Sequence, residues 1–315
     1  MAGWPQRQGC SQIGGRRSGL SAEDQRAARV TADAHNGLQP GHAIAGYRLI
    51  RRIGQGTHGA VYLAEVPRGS WTVALKVVAL PPGAPEPVAR EAFLRSAETA
   101  RRLHHPGIVA LHAAGVEGPL AWLSMELVAG SDLTRYTRPQ RLLPEPLVLR
   151  LGERIAQALA YAHRQGVVHR DVKPANVLVD WTSDAVKLAD FGLARADDGV
   201  QTGTGIVPGS PAYMAPEQLA GAVPTPRSDL YALGVMLFQL LAGRLPHEGA
   251  TMGDLLRHVA DEPVPDLRAL RPDLPAAVAA LTARLMAKRQ AERPADGDAV
   301  ARELAALAQT WPAPL

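Results

Sequence analysis

Three glycines, Gly54, Gly56 and Gly59, followed by Val61, fit the spacing G-x-G-x-x-G-x-V. Glycine has no Cβ, so such a stretch lets a backbone lie close over phosphate oxygens with its amides turned toward them. The same spacing marks dinucleotide-binding folds and plain Gly-rich hairpins. A dinucleotide fingerprint should open a helix, whereas residues 60–66 are β-branched and aromatic, so these glycines are read as capping a hairpin. Lys76 follows inside the apolar run 73–78. A lysine there is costly to bury unless paired. Either it reaches water from an edge strand, or it grips anionic oxygens as a compact point charge.

A second concentration of polar groups is His169-Arg170-Asp171-Val172-Lys173-Pro174-Ala175-Asn176, with Asp190-Phe191-Gly192 beginning 19 residues after Asp171. An isolated Asp or Asn is ordinarily a turn or cap residue. Scarcity argues otherwise here. Of 34 Lys and Arg side chains only four are lysines, Asn occurs only at 36 and 176, and Phe only at 93, 191 and 238. Residues so rare in the chain, yet gathered in two short stretches, mark places where the chemistry requires them.

The elements that must position these groups fall into two parts. Strand-like runs at 47–53, 60–66, 71–80, 108–113 and 121–127 surround one helical stretch, 88–103. After Gly130 the pattern turns helical, with a long amphipathic helix at 144–165 carrying Leu147, Leu151, Ile155, Ala158, Leu159 and Ala162 on one side. Short strands at 177–179 and 186–188 precede a long loop to about 215. Helices follow at 229–242, 252–258, 275–285 and 297–308. Strands first and helices second predict an α+β fold in two lobes. Residues 1–44, rich in Gly, Gln, Arg and Ser, read as a disordered leader, with a helix-like stretch at 21–34.

Composition excludes several classes. Hydrophobic content of 46% and charged content of 20% belong to a globular chain able to bury a core. Cys10 is the sole cysteine, so neither a disulfide framework nor a Cys-based zinc site can form. The longest apolar run, 230–243, holds Gln239 and is too short to span a bilayer. The N-terminus lacks signal-peptide order. The net charge of +4 is spread along the chain, which argues against a nucleic-acid partner.

With those motifs in order, the chain resembles eukaryotic-type (Hanks-type) serine/threonine protein kinases of bacteria from about Tyr47 to about Leu307. Tyr213-Met214-Ala215-Pro216-Glu217, Arg227-Ser228-Asp229 and Arg293-Pro294 extend the match. The resemblance implies a two-lobed fold: a small, mostly antiparallel β N-lobe with one main helix, and a larger, mostly α-helical C-lobe. It divides the chain into a kinase domain at 45–308, with N-lobe about 45–127, hinge about 126–130 and C-lobe about 131–308, and a tail at 309–315. It implies transfer of the ATP γ-phosphate to Ser and Thr of protein substrates. Asp171 would accept or orient the substrate hydroxyl proton, Lys173 would meet the γ-phosphate and Lys76 the other phosphates. Asn176 and Asp190 offer hard oxygen ligands to Mg2+, or Mn2+ in its place. ATP would be enclosed by Ile53, Gly54, Gln55, Gly56, Thr57, His58 and Gly59, with Val61, Ala74 and Leu178 around the adenine. Met125 would stand behind the ring, with the Glu126 carbonyl and Val128 amide as hinge contacts. Arg170, Phe191, Gly192, Glu217, Asp229 and Arg293 take structural roles.

The family places a Glu on the N-lobe helix as partner of the lysine. Counting back without gaps from His105-Pro106, that place falls on Ser96. Glu98 lies two residues on, about 200° around the helix, and Glu91 five back, about 140° away. Either a two-residue contraction brings Glu98 to Lys76, the reading adopted, or the pair is missing. Ser210 stands where the family often has Thr. Arg170 before the catalytic Asp goes with control by autophosphorylation, for which Thr202 and Thr204 are the candidate sites and a transient homodimer the candidate route. Two other readings compete. The irregular Glu suggests a pseudokinase, a nucleotide-binding scaffold. An aminoglycoside-type small-molecule kinase is disfavoured by Lys173-Pro174 and Ala215-Pro216-Glu217. The chain ends at Leu315 with no membrane helix, so a stand-alone cytoplasmic kinase is expected.

Overall fold

The computed structural model describes residues 38–56, 59–80, 86–191 and 211–311. Its first part is an antiparallel sheet of β1 (Ala43–Ile44), β2 (Tyr47–Gly56), β3 (Gly59–Glu65), β4 (Thr72–Ala79), β5 (Leu111–Glu117) and β6 (Leu120–Met125), in the order β1-β2-β3-β4-β6-β5. Successive side chains of a strand face opposite sides. On β4, Val73, Leu75 and Val77 therefore pack with Leu49, Ala60, Tyr62 and Ala64 on one face. Ala74 faces the other way, where it meets Leu123, Met125 and α1 (Glu86–Arg101) through Phe93 and Ala97. Lys76 shares that second face by parity, so the sheet aims it beneath the glycine hairpin. Gly59 has a packing reason of its own: a Cβ there would lie 2.1 Å from the Val77 carbonyl oxygen, so only glycine lets β3 approach β4 so closely.

The second part is built around α2 (Glu145–Arg164) and α4 (Pro226–Ala242). The stripe on α2 is buried at Leu151, Ile155, Ala158, Leu159 and Ala162, against α4 and α8 (Gly297–Gln309). Helix α4 is buried nearly all round, from Leu230 through Leu241, which is why its sequence shows an unbroken apolar run rather than a stripe. Each of its buried leucines contributes about 1.5–3 kcal/mol of transfer free energy. Gly243 ends it in the left-handed conformation, φ 74°. Helices α3 (Pro216–Leu219), α5 (Met252–Asp261), α6 (Leu267–Leu270) and α7 (Ala276–Leu285) complete this lobe. Strands β7 (Ser131–Asp132), β8 (Val177–Asp180) and β9 (Ala185–Leu188) form a small sheet at its upper edge. No helix among the described residues is long and apolar enough to cross a membrane.

Three expectations shift. The strand expected at 108–113 runs from Leu111 to Glu117, because residues 107–109 bond to β9 instead: Val109 N–H donates to the Leu188 carbonyl at 3.0 Å and Leu188 N–H to that of Gly107 at 2.8 Å. Order also begins before residue 45, since Ile44 is buried and Leu38 packs against the same cluster. At the other end, α8 runs to Gln309, one residue past the expected boundary at 308, and Trp311 packs on the C-lobe core. The remainder of the expected leader lies outside the described residues.

Candidate active site

The groups singled out above converge between the two lobes. Lys76, on β4, is opposite Val61 in the β3 register, and Ala74 is opposite Met125 at the end of β6. Leu178 on β8 lies below them in the second lobe. Glu126 and Val128 follow β6 in the connection between lobes. Ile53, Gly54, Gln55 and Gly56 end β2. Thr57 and His58 lie outside the described residues, as do Gly192, Thr202, Thr204 and Ser210.

Lys76 Nζ donates to Asp190 Oδ2 at 2.6 Å, a bond joining residues 114 positions apart. Burial pushes the Asp190 carboxyl up, but the Lys76 ammonium and its hydrogen bond outweigh that and hold it below the ordinary carboxylate range. Asp190 therefore keeps its negative charge. Beside it, Asp171 Oδ2 meets Lys173 Nζ at 2.7 Å and Asn176 Nδ2 at 3.0 Å. The Asn176 amide also donates to the Asp171 carbonyl at 2.7 Å, and Ala189 N–H donates to the Asn176 carbonyl at 2.8 Å. These bonds join the two polar stretches into one cluster: two carboxylates, two ammonium groups and an amide.

Buried groups hold the cluster from below. Asp229, 1% exposed, accepts the backbone N–H groups of His169 and Arg170 at 2.8 Å each, and its Oδ2 also lies 2.8 Å from His163 Nε2. Arg170 has φ 73° and Asp190 φ 67°, left-handed conformations that cost non-glycine residues about 1 kcal/mol each. The Asp229 carboxylate fixes the first by gripping the adjoining amides. His169 accepts Asp171 N–H on Nδ1 at 3.2 Å and reaches the Ala189 carbonyl from Nε2 at 2.9 Å, which requires the proton on Nε2. Phe191 packs on the same imidazole, with ring centroids 4.5 Å apart. Further off, Arg293 holds Glu217 with two bonds of 2.7 and 2.8 Å.

Glu98 requires a correction. It does not meet Lys76. Helix α1 buries Ala89, Phe93 and Ala97, which puts Ser96 and Glu98 on opposite flanks of the buried line. The helix runs unbroken through Arg101, so no contraction turns Glu98 inward. Its carboxylate faces Arg101 at 2.9 Å and Arg102 at 3.4 Å, 45% exposed, and the Arg101 hydrogen bond holds its pKa below the usual value. Exposed pairs of this kind contribute little. A Glu98→Gln protein is therefore expected to keep its activity within about twofold and its melting temperature within about 1 °C. A tenfold loss in a phosphate-transfer assay would restore Glu98 to the site.

Residues missed from the sequence are His163, which meets the Asp229 carboxylate beneath the loop, and Lys187, whose Nζ meets the Glu126 carboxylate at 2.9 Å; His169 stood in the 169–176 motif, but its bracing role did not show there. Scarcity of lysine was a signal for Lys187. The pairing itself depends on topology. Chemically, the cluster offers an ionised carboxylate beside a second one, ammonium groups for anionic oxygens, and the Asp and Asn oxygens that Mg2+-type cations take together with water and phosphate ligands. No group of three or more His, Cys, Asp or Glu suited to an all-protein metal cage occurs among the described residues, so any cation there would share its shell with phosphate and water.

Comparison with known proteins gives the same picture. The family described as protein kinase domain matches residues 47–305. The serine/threonine-protein kinase PknJ of Mycobacterium bovis is 42% identical over 260 residues, which cover 80% of this chain and 43% of that protein. The serine/threonine-protein kinase pkn3 of Myxococcus xanthus is 38% identical, covering 83% and 50%. The chain thus spans half or less of the length of these relatives. Among solved structures, the kinase domain of Mycobacterium tuberculosis PknI superposes with TM-score 0.69 at 33% identity, covering 86% of this chain and 100% of that one.

Proposed function

The chain belongs to the protein kinase domain family, and from that premise we propose that it transfers the γ-phosphate of ATP to Ser and Thr hydroxyls of proteins. The observation that carries this reading is the single cluster in which Asp171 touches Lys173 and Asn176 while Asp190 receives Lys76 from the other lobe. Phosphoryl transfer leaves a protein little covalent work, so positioning and charge neutralisation dominate. Asp171 orients the incoming hydroxyl and takes its proton as the new O–P bond forms and the bond to the ADP oxygen breaks. Lys173, 2.7 Å from that carboxylate, meets the transferred group's charge. Lys76 holds the non-transferred phosphates in reach of Asp190. Asp190 and Asn176 would hold a divalent ion, Mg2+ or Mn2+, which supplies charge neutralisation between phosphates. The adenine lies among Val61, Ala74, Met125 and Leu178, with the Glu126 carbonyl and Val128 amide as its polar contacts.

Activation by autophosphorylation at Thr202 or Thr204 belongs to the same proposal. Incubation with γ-labelled ATP, Mg2+ and a generic Ser/Thr-rich protein tests it, followed by mapping of the labelled residues. The expected result is label on Ser and Thr, including the 202–204 segment, falling at least about a hundredfold in Lys76→Met. Equal labelling by Lys76→Met would remove that lysine from the site.

A further inference from the structure

We propose that Lys187 and the side chain of Glu126 form an ionic clamp that sets the hinge backbone for the nucleotide base, making Lys187 a positioning residue for ATP. The inference rests on the reading of Glu126 and Val128 as base contacts. The β6 ladder ends at Met125, so Glu126 is the first residue of the connection without a sheet partner. Three bonds replace the ladder. Glu126 N–H donates to the Ala110 carbonyl at 2.8 Å, the Glu126 carboxylate accepts Ala110 N–H at 3.3 Å, and Lys187 Nζ lies 2.9 Å from both carboxylate oxygens. Lys187 comes from β9, three residues before Asp190, and the neighbouring Leu188 is bonded to Gly107 and Val109. Hinge, 107–110 segment and the strand leading to Asp190 thus form one block, in which Lys187 is the side-chain link.

The pair is partly withdrawn from water, with side chains 17% and 31% exposed. At such a site the attraction must first offset desolvation, so an ion pair adds more to position than to stability. Its composition agrees. A chain that uses arginine almost everywhere keeps a lysine here, whose compact ammonium can sit between the two carboxylate oxygens.

Steady-state kinetics with ATP titration, together with ADP binding by calorimetry, test the clamp. For Lys187→Met, KM for ATP and Kd for ADP are expected to rise about tenfold, with the protein-substrate KM unchanged and the effect on kcat within about twofold. Lys187→Arg keeps the charge but replaces the compact ammonium with a larger planar fork, and should recover the ADP affinity only in part. Glu126→Gln keeps the main chain and the side-chain size but removes the charge, and should reproduce the effect if Lys187→Met does not fold. Unchanged ADP affinity in folded Lys187→Met, or a loss confined to kcat, overturns the clamp. ADP binding needs no transfer step. A wild-type protein that binds ADP without moving phosphate would count against the kinase reading, while the shift in Kd would still decide the clamp.

Discussion

Asp171→Asn is expected to slow phosphate transfer about 10^2–10^4-fold at saturating ATP, with ATP affinity changed by no more than about threefold. The substitution keeps the side chain's size and leaves an oxygen able to accept from Lys173 and Asn176, which lie 2.7 and 3.0 Å from Oδ2. The loop should stay in place. Its backbone is held by Asp229 through the His169 and Arg170 amides and by His169 Nδ1 through the Asp171 amide, and none of these bonds uses the Asp171 side chain. What disappears is the negative charge and the proton acceptor. Single-turnover transfer measured beside ATP binding separates the two effects. A fall in rate with binding retained is the expected pattern, and an unchanged rate would remove Asp171 from its role.

Arg293→Leu is expected to cost about 3–5 kcal/mol of stability, lowering the melting temperature on the order of 10 °C. The Arg293 side chain is fully buried and donates twice to Glu217, and also to the carbonyls of Ala287 at 2.8 Å, Arg227 at 3.0 Å and Lys288 at 3.2 Å. It therefore joins α3, the start of α4 and the segment after α7. Removing it leaves a carboxylate buried without its partner, although Ser228 Oγ still donates at 2.8 Å. Removing both ends costs less, so Glu217→Gln combined with Arg293→Leu should melt above Arg293→Leu alone. The pH dependence has a defined sign. Burial pushes the Glu217 carboxyl up, but Arg293 outweighs it and leaves the folded pKa below the ordinary value. The pair's contribution is thus present above the unfolded value of about 4.3 and is lost as pH falls through the folded pKa. Melting curves of wild type and Arg293→Leu should differ most near neutral pH and draw closer as the pH falls through the folded pKa of Glu217. A constant difference from pH 7 to pH 3 would contradict this account.

Legibility in the sequence followed the length and regularity of each signal. The amphipathic stripe at 144–165 became Glu145–Arg164, and the helix read at 297–308 became Gly297–Gln309, because both carry several turns of periodic apolar residues. The two-residue strand Ala43–Ile44 has no period to read. Residues 108–110 look like the start of a strand, but Gly107 and Val109 spend backbone bonds on Leu188 of β9, a partner nearly 80 positions away that no local pattern announces. Within the site, Asp171, Asn176 and Asp190 stood out by type and spacing, since their local turns are written in neighbouring residues. Glu98 failed for a different reason. Counting along a helix fixes angles between its own residues, but which flank faces the cleft depends on where Ala89, Phe93 and Ala97 dock. Lys187 was visible as a rare residue, and its partner only after β9 was placed beside the hinge.

The central claim is that this cluster transfers phosphate although the carboxylate that meets Lys76 is Asp190 rather than one from α1. The most direct measurement takes one wild-type preparation with γ-labelled ATP and Mg2+, recording nucleotide bound and phosphate moved to Ser or Thr in the same sample. The account predicts binding together with labelled Ser and Thr, the label being lost in Asp171→Asn. Nucleotide bound at full occupancy with no phosphate on any Ser or Thr would contradict it and identify a nucleotide-binding scaffold.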